Sequence, residues 1–228
     1  DESILLPVMH SLPPEVDKVN ITSGFPLAMT PIASLVAQMF DLYTIGMRKR
    51  GEHYVTSYVG KVLTHPYAHY ISENAKSTFA TLKEQRIFYP DRSLLTMNDE
   101  DEGLSMLFPA NAGFAATGDI KQLLNLIGTT IKRIGVKAKD VDDALFQESV
   151  FRMYTIVNRL EQLAADGDMD VDITTLRRLT KQLTSSTTIP FHGEPVVGVQ
   201  IMGVLETRNL DFDHVLLLSC NEGNMPKG

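Results

Sequence analysis

The stretch Val196–Pro226, VVGVQIMGVLETRNLDFDHVLLLSCNEGNMP, decides how the rest of this chain is read. Val197, Val199 and Ile201 alternate with other residues, and Val215–Leu218 is an unbroken apolar run. Both patterns predict short strands covered on both faces, as in a parallel sheet. Between them Glu206, Arg208, Asp211 and Asp213 follow in quick succession. Charges between two buried strands belong at a sheet end that water or a ligand can reach. Open α/β sheets bind their ligands there.

The amino-terminal segment supplies a matching pattern. Ser3–Leu12 has apolar residues near helical spacing, and Pro13 and Pro14 stop it. Lys18–Thr22, KVNIT, has the β-branched content of a short buried strand, and Ser23-Gly24 turns the chain. Thr30 is placed as an N-cap with Pro31 at the first helical position. Behind it Ile32, Leu35, Val36, Met39, Phe40 and Tyr43 form one apolar stripe, which predicts a helix.

Both ends resemble superfamily 1 DNA helicases of the UvrD/Rep type. In motif V of that family an apolar strand leads through Met-Thr-x-His-x-x-Lys-Gly-Leu-Glu-Phe to a second strand and a Glu-Gly-x-x-Pro exit. Val199, Ile201 and Met202 match the start, Leu210 and Phe212 the Leu and Phe, and Asp211 stands for the Glu. Val215–Leu218 match the second strand, and Glu222, Gly223 and Pro226 the exit. Gly203 stands at the family Thr, Leu205 at the His, Arg208 at the Lys and Asn209 at the Gly. Positions that keep the fold survive, and several that touch DNA or nucleotide do not. That pattern is similar to the inactivated helicase-like proteins related to the AddB subunit of bacterial AddAB helicase-nucleases. Their amino-terminal turn often reads Asn-x-Thr-x-Gly-x-Pro-Leu followed by Thr-Pro, which Asn20, Thr22, Gly24, Pro26, Leu27, Thr30 and Pro31 fit.

The resemblance implies a fold and a role. The fold is α/β, a partial RecA-like, P-loop NTPase-like parallel sheet lobe with a large all-helical insertion. Residues 1–45 and 189–228 would form the second RecA-like lobe, and residues 46–188 an inserted helical subdomain. The implied role is a non-catalytic scaffold that guides DNA in double-strand-break repair and recombination. A PD-(D/E)xK nuclease domain is expected downstream in the parent protein. DNA and a helicase-nuclease partner subunit are the implied partners of that parent. One alternative is a piece of an active ATP-dependent superfamily 1 helicase whose ATPase motifs lie elsewhere. Another is a pure protein-interaction module.

The middle of the chain is helical in pattern. Gly46–Gly51 reads as a basic link. Tyr54, Val55, Tyr58, Val59, Val62 and Leu63 form a stripe that Pro66 ends, and Tyr67–Gln85 continues as helix. Ile87–Tyr89 reads as a short extended piece, and residues 91–118 as loop anchored by Leu104, Met106, Leu107 and Phe108. Asp119 caps a helix that Gly135 would stop, Asp140 starts a long one to about Ala165, and Asp172 caps a last one through Leu183. Ile173, Leu176, Leu179 and Leu183 are expected inward, with residues 185–188 as loop.

Bulk composition limits the functions available. At 228 residues and 43% hydrophobic content the chain can bury a substantial core. A formal net charge of −7 predicts that the fragment alone binds DNA weakly, since phosphate contacts need cations. The single cysteine, Cys220, excludes an internal disulfide and fits a reducing, cytoplasmic compartment. No apolar run is long enough for a membrane span, no signal peptide opens the chain, and the whole reads as an excised piece.

Candidate chemistry is sparse. A Walker-type G-x-x-x-x-G-K-[ST] loop does not occur, so ATP and Mg²⁺ enter only if the parent carries other motifs. No cofactor and no metal site is expected in this fragment. By the resemblance, Asp211 is a degenerate nucleotide-ribose contact; a solvated acid at a strand start is the plainer reading. Arg208 would contact a phosphate, or else pair with Glu206 or Asp211. Asp166–Asp172 has calcium-loop acids, but Val171 and Arg177 stand where an EF-hand needs Gly and Glu. His65 and His69 lack the intervening Glu of a zinc H-E-x-x-H and read as surface histidines. Pro90-Asp91 has no later E-x-K to complete a nuclease. Asn20-Ile21-Thr22 fits a glycosylation acceptor with nothing else to suggest secretion. Cys220, just after an expected buried strand, reads as an inert core thiol.

Overall fold

Val19, Asn20 and Ile21 run parallel to Val199, Gln200 and Ile201, in register one to one. Parallel neighbours cannot be joined by a tight turn, so a long crossover must lie between them. Here that crossover contains a helical unit. The computed structural model describes residues 4–16, 18–21, 24–48, 52–110, 114, 118–189, 198–203, 207 and 211–221. The chain divides into two compact units, residues 1–25 with 190–228, and residues 26–189.

In the first unit α1 (Leu5–Ser11) precedes β1 (Val19–Ile21). Asn20 and Ile21 are buried, as the β-branched pattern predicts. The chain returns in β6 (Val199–Ile201), whose Val199 N–H donates to the Lys18 carbonyl at 3.0 Å. Gly198 makes this approach feasible. Its φ is +86°, and a Cβ there would lie 2.1 Å from the Lys18 oxygen.

Val215–Leu218, the expected second strand, forms no strand. Its side chains stand in solvent, with Leu216 84% exposed. A strand exists only where a neighbour takes its N–H and C=O groups. The parallel sheet described is two-stranded, and neither β1 nor β6 pairs with this run. Cys220 is likewise exposed rather than a core thiol.

The second unit is built on α2 (Pro31–Thr44). Its buried face is Ile32, Leu35, Val36, Met39, Phe40, Leu42 and Tyr43, the predicted stripe widened by Leu42. Each such side chain contributes about 2 kcal/mol of transfer free energy. Thr30 holds the N-cap position but does not cap, because its hydroxyl donates back to the Leu27 carbonyl at 2.6 Å. The Tyr43 hydroxyl donates to the Leu107 carbonyl, and its ring packs on Phe114. The chain enters and leaves this unit through β2 (Phe25–Pro26) and β5 (Thr188–Ile189). Just inside, the Leu27 N–H donates to the Thr187 carbonyl at 3.0 Å.

Between α2 and α3 (Thr56–Leu63), Met47–Arg48 of the expected basic link forms β3 and pairs antiparallel with β4 (His53–Tyr54), while residues 49–51 lie outside the described residues. Tyr54 belongs to this strand rather than to the helix, and packs edge-on against Phe108. The helix expected over 67–85 is broken into α4 (Ala68–Ile71) and α5 (Ala75–Glu84). Ser72 sits at the break, fully buried and bonded to Asp101. The expected loop over 91–118 contains α6 (Arg92–Leu95) and α7 (Gly103–Leu107), each too short to show a period. Leu104, Leu107 and Phe108 are its buried anchors, as predicted, while Met106 is half-buried.

The longest helices are α8 (Ile120–Lys137) and α9 (Ala144–Asp166), followed by α10 (Ile173–Ser186). Asp119 caps α8 and Asp172 caps α10, as expected. Gly135 does not stop α8. It lies inside the helix, where a Cβ would have only an ordinary 3.5 Å contact with Val150. The cap of α9 is Asp143, which accepts the Phe146 N–H, and not Asp140. Gln147 reaches back to the Ala138 and Val141 carbonyls and so holds residues 138–141 out of the helix. In α10 the phase is rotated from the expected one. Ile173, Leu176, Thr180 and Thr184 face inward, and Leu183 is 40% exposed. The two threonine hydroxyls avoid a desolvation cost by donating to carbonyls one turn back.

Helix makes up 58% of the described residues and strand 8%, so the fold is mixed α/β, mostly helical, with a small parallel sheet.

Candidate functional site

The carboxyl ends of β1 and β6 point the same way, and a ligand site of an open sheet would lie beyond them. Ile21 and Ile201 are the last strand residues. Gly24, at φ +75°, turns the chain after β1, and Met202 and Gly203, both half-buried, follow β6. Asp211 is exposed and lies outside any helix or strand. Arg208, Glu206, Leu205 and Asn209 lie outside the described residues.

Among the described residues, His65 and Asp101 of the helical unit are titratable side chains held by several hydrogen bonds. His65, read as a surface histidine, is 4% exposed. Its Nδ1 accepts the Tyr67 N–H at 3.1 Å, and its Nε2 lies 2.9 Å from Ser34 Oγ. With Nδ1 occupied as an acceptor, the neutral ring carries its proton on Nε2 and donates it to Ser34. The serine hydroxyl in turn donates to the Pro31 carbonyl at 2.8 Å. The pair therefore cannot activate Ser34, since a base must accept that proton. Burial pushes the His65 pKa down, with a hydrogen bond at Pro31 acting in the other direction. The role is structural, joining α2 to the end of α3. His69 is exposed, as expected.

Asp101 is a second hub. Burial raises its pKa, but that is outweighed by hydrogen bonds from Lys137, Ser72 and the Gly103 N–H, which hold the carboxyl well below the usual range. Lys137 Nζ is at 2.6 Å and Arg133 Nη2 at 2.9 Å. Arg133 Nε also donates to the Ile71 carbonyl at 2.7 Å. One carboxylate thus ties α8 to the turn after α4 and the start of α7. Asp99 does similar work, taking the Leu104 and Ser105 N–H groups. Asp99 and Asp101 are thus absorbed by the fold, while Glu100 and Glu102 are exposed. Asp91 is likewise a cap, accepting the Leu94 N–H.

Among the described residues no group of His, Cys, Asp and Glu is placed to hold a metal ion. A concavity lined by Thr78, Leu82, Ile87, Leu94 and Met97 has a volume near 20 Å³. That admits about one water, while small-molecule sites need roughly 300 Å³ or more. No described helix is long and apolar enough to cross a membrane. Comparison with family models, curated proteins and solved structures finds no match to this chain.

Sequence reasoning missed the burial of His65. Its signal was present in Pro66 and the aromatic run Tyr67–Tyr70, which place the histidine at a tight helix end packed by rings.

Proposed function

We propose that this chain is the non-catalytic, DNA-guiding region of an AddB-like, inactivated superfamily 1 helicase. In this reading the parent protein works on DNA with a helicase-nuclease partner subunit during double-strand-break repair. The observation that carries it is the parallel pairing of Val19–Ile21 with Val199–Ile201 around a helical excursion. A RecA-like lobe interrupted by a helical subdomain requires that connectivity. The two strands are also the segments whose residues resemble the family. Gly203, Leu205 and Asn209, where the family has Thr, His and Gly, support a scaffold over a motor. Asp211 and Arg208 are then remnants of a nucleotide site.

The test has two arms. Fluorescent ATP should show no saturable binding to the purified chain. A labelled DNA should bind weakly at low salt and be released as salt rises. An intact phosphate-binding loop in the parent's upstream sequence would favour the active-helicase alternative. DNA binding absent at every salt would favour a protein-interaction module.

A further inference from the structure

The β1–β6 pair and the helical unit bury very different amounts of the chain. Among the described residues, the buried side chains of the first unit are Leu5, Asn20 and Ile21. Val19 and Val199, register partners at the start of the pair, are 36% and 38% exposed. α1 has seven residues and no side-chain cap, too short to persist by itself. The largest fully buried side chains, among them Phe40, Tyr43, Tyr54 and Phe108, all lie in residues 26–189. Stability is thus concentrated in the helical unit, and the strand pair stands at the weak end of the scale.

The path of the chain adds an asymmetry. Asn20 and Gln200 are 180 residues apart in sequence. Bringing such distant segments together is entropically costly in an open chain. The helical unit removes most of that cost, because its own ends are joined. β2 and β5 form a two-stranded sheet, and the Leu27 N–H donates to the Thr187 carbonyl at 3.0 Å. With those ends fixed, β1 and β6 are connected only through residues 22–24 and 190–198, about a dozen in all. By the three-halves power of loop length, that shortening favours the pairing roughly fiftyfold.

We propose that β1 and β6 form a clasp that opens alone, releasing both outer segments of the chain while the helical unit stays folded, and that the clasp cannot outlast that unit. The dependence runs one way. Opening the clasp leaves β2, β5 and the helices in place, whereas unfolding the helices restores the long loop. Such a clasp operates whether or not the chain guides DNA.

Hydrogen exchange of the full chain in rising urea, followed by NMR, tests both halves. The Val199 amide, bonded to the Lys18 carbonyl, and the other protected amides of β1 and β6 should exchange through an opening with a shallow urea dependence. The amides of α2, α8 and α9 should need an opening with a steep one. Asn20→Ala should speed exchange in β1 and β6 about fivefold and leave the helical amides unchanged. Leu124→Ala, in the core of α8, should bring the loss of helical circular dichroism to lower urea. Protection in β1 and β6 should vanish at or before that point. If strand and helix amides share one urea dependence, or Asn20→Ala speeds both alike, the opening is global and the clasp is refuted. Protection of β1 and β6 that survives the loss of helix would overturn the one-way dependence.

Discussion

Asn20 and Gln200 face each other across the parallel strands, the Asn20 Nδ2 donating to Gln200 Oε1 at 2.8 Å. Asn20 is buried, so its amide needs this partner. A one-residue slip would separate the two side chains and turn Ile21 away from its buried position. Asn20→Ala should destabilise the first unit by about 1 kcal/mol. A double-mutant cycle with Gln200→Ala, followed by denaturant unfolding, should show favourable coupling. Strict additivity would mean that the pair does not set the register.

Asp101 should make the helical unit acid-sensitive. Its carboxyl pKa is depressed in the folded state, so the stabilisation is complete above the unfolded value of about 3.9 and is lost as pH falls below it. Asp101→Asn should cost roughly 2 kcal/mol at neutral pH, because Arg133 and Lys137 lose their charged acceptor. The variant's stability should also vary less with pH below about 4. Thermal melts across that range would show both effects.

His65 acts at a different pH. Its folded-state pKa is lowered, so the unfolded chain takes up the proton first. Stability is therefore complete above about 6.5 and declines as pH falls through that value. Protonation also forfeits the bond from the Tyr67 N–H. His65→Asn should flatten the stability profile between about pH 7 and 5. An unchanged profile would refute a buried neutral imidazole.

Two glycines should respond oppositely to alanine. At Gly103 a Cβ would lie 1.9 Å from the Ile71 carbonyl oxygen, so Gly103→Ala should cost at least about 2 kcal/mol. At Gly128, inside α8, the nearest atoms are 3.7 Å away on Val157 and Glu161. Gly128→Ala should gain about 0.5–1 kcal/mol from backbone entropy. Paired urea titrations would separate these signs.

The helices were legible because their burial repeats with the helical period. The Ile32–Tyr43 stripe and the Asp119 and Asp172 caps follow directly from residue type and spacing. Failures arose where a tertiary partner decides. Val215–Leu218 has strand composition, but composition does not supply a neighbour to pair with. Gly135 resembles a stop, yet α8 continues because Val150 leaves room beside it. Leu183 lost the inward position to Thr184, whose hydroxyl is satisfied within its own helix. Of the candidate nucleotide contacts, Asp211 is exposed and in no helix or strand, and Arg208 lies outside the described residues. Phe88 and Tyr89, expected in an extended piece, are bends with exposed side chains, where the Ile87 and Phe88 carbonyls are fastened to Thr56.

The bare aliphatic run from Val215 to Leu218 has a practical consequence at the bench. Sulfate and phosphate strengthen the drive to hide apolar surface, so this protein should precipitate early in a salting-out series. Replacing Leu216, the most open of the four, with lysine should move that threshold to higher salt without altering the melting of the helices.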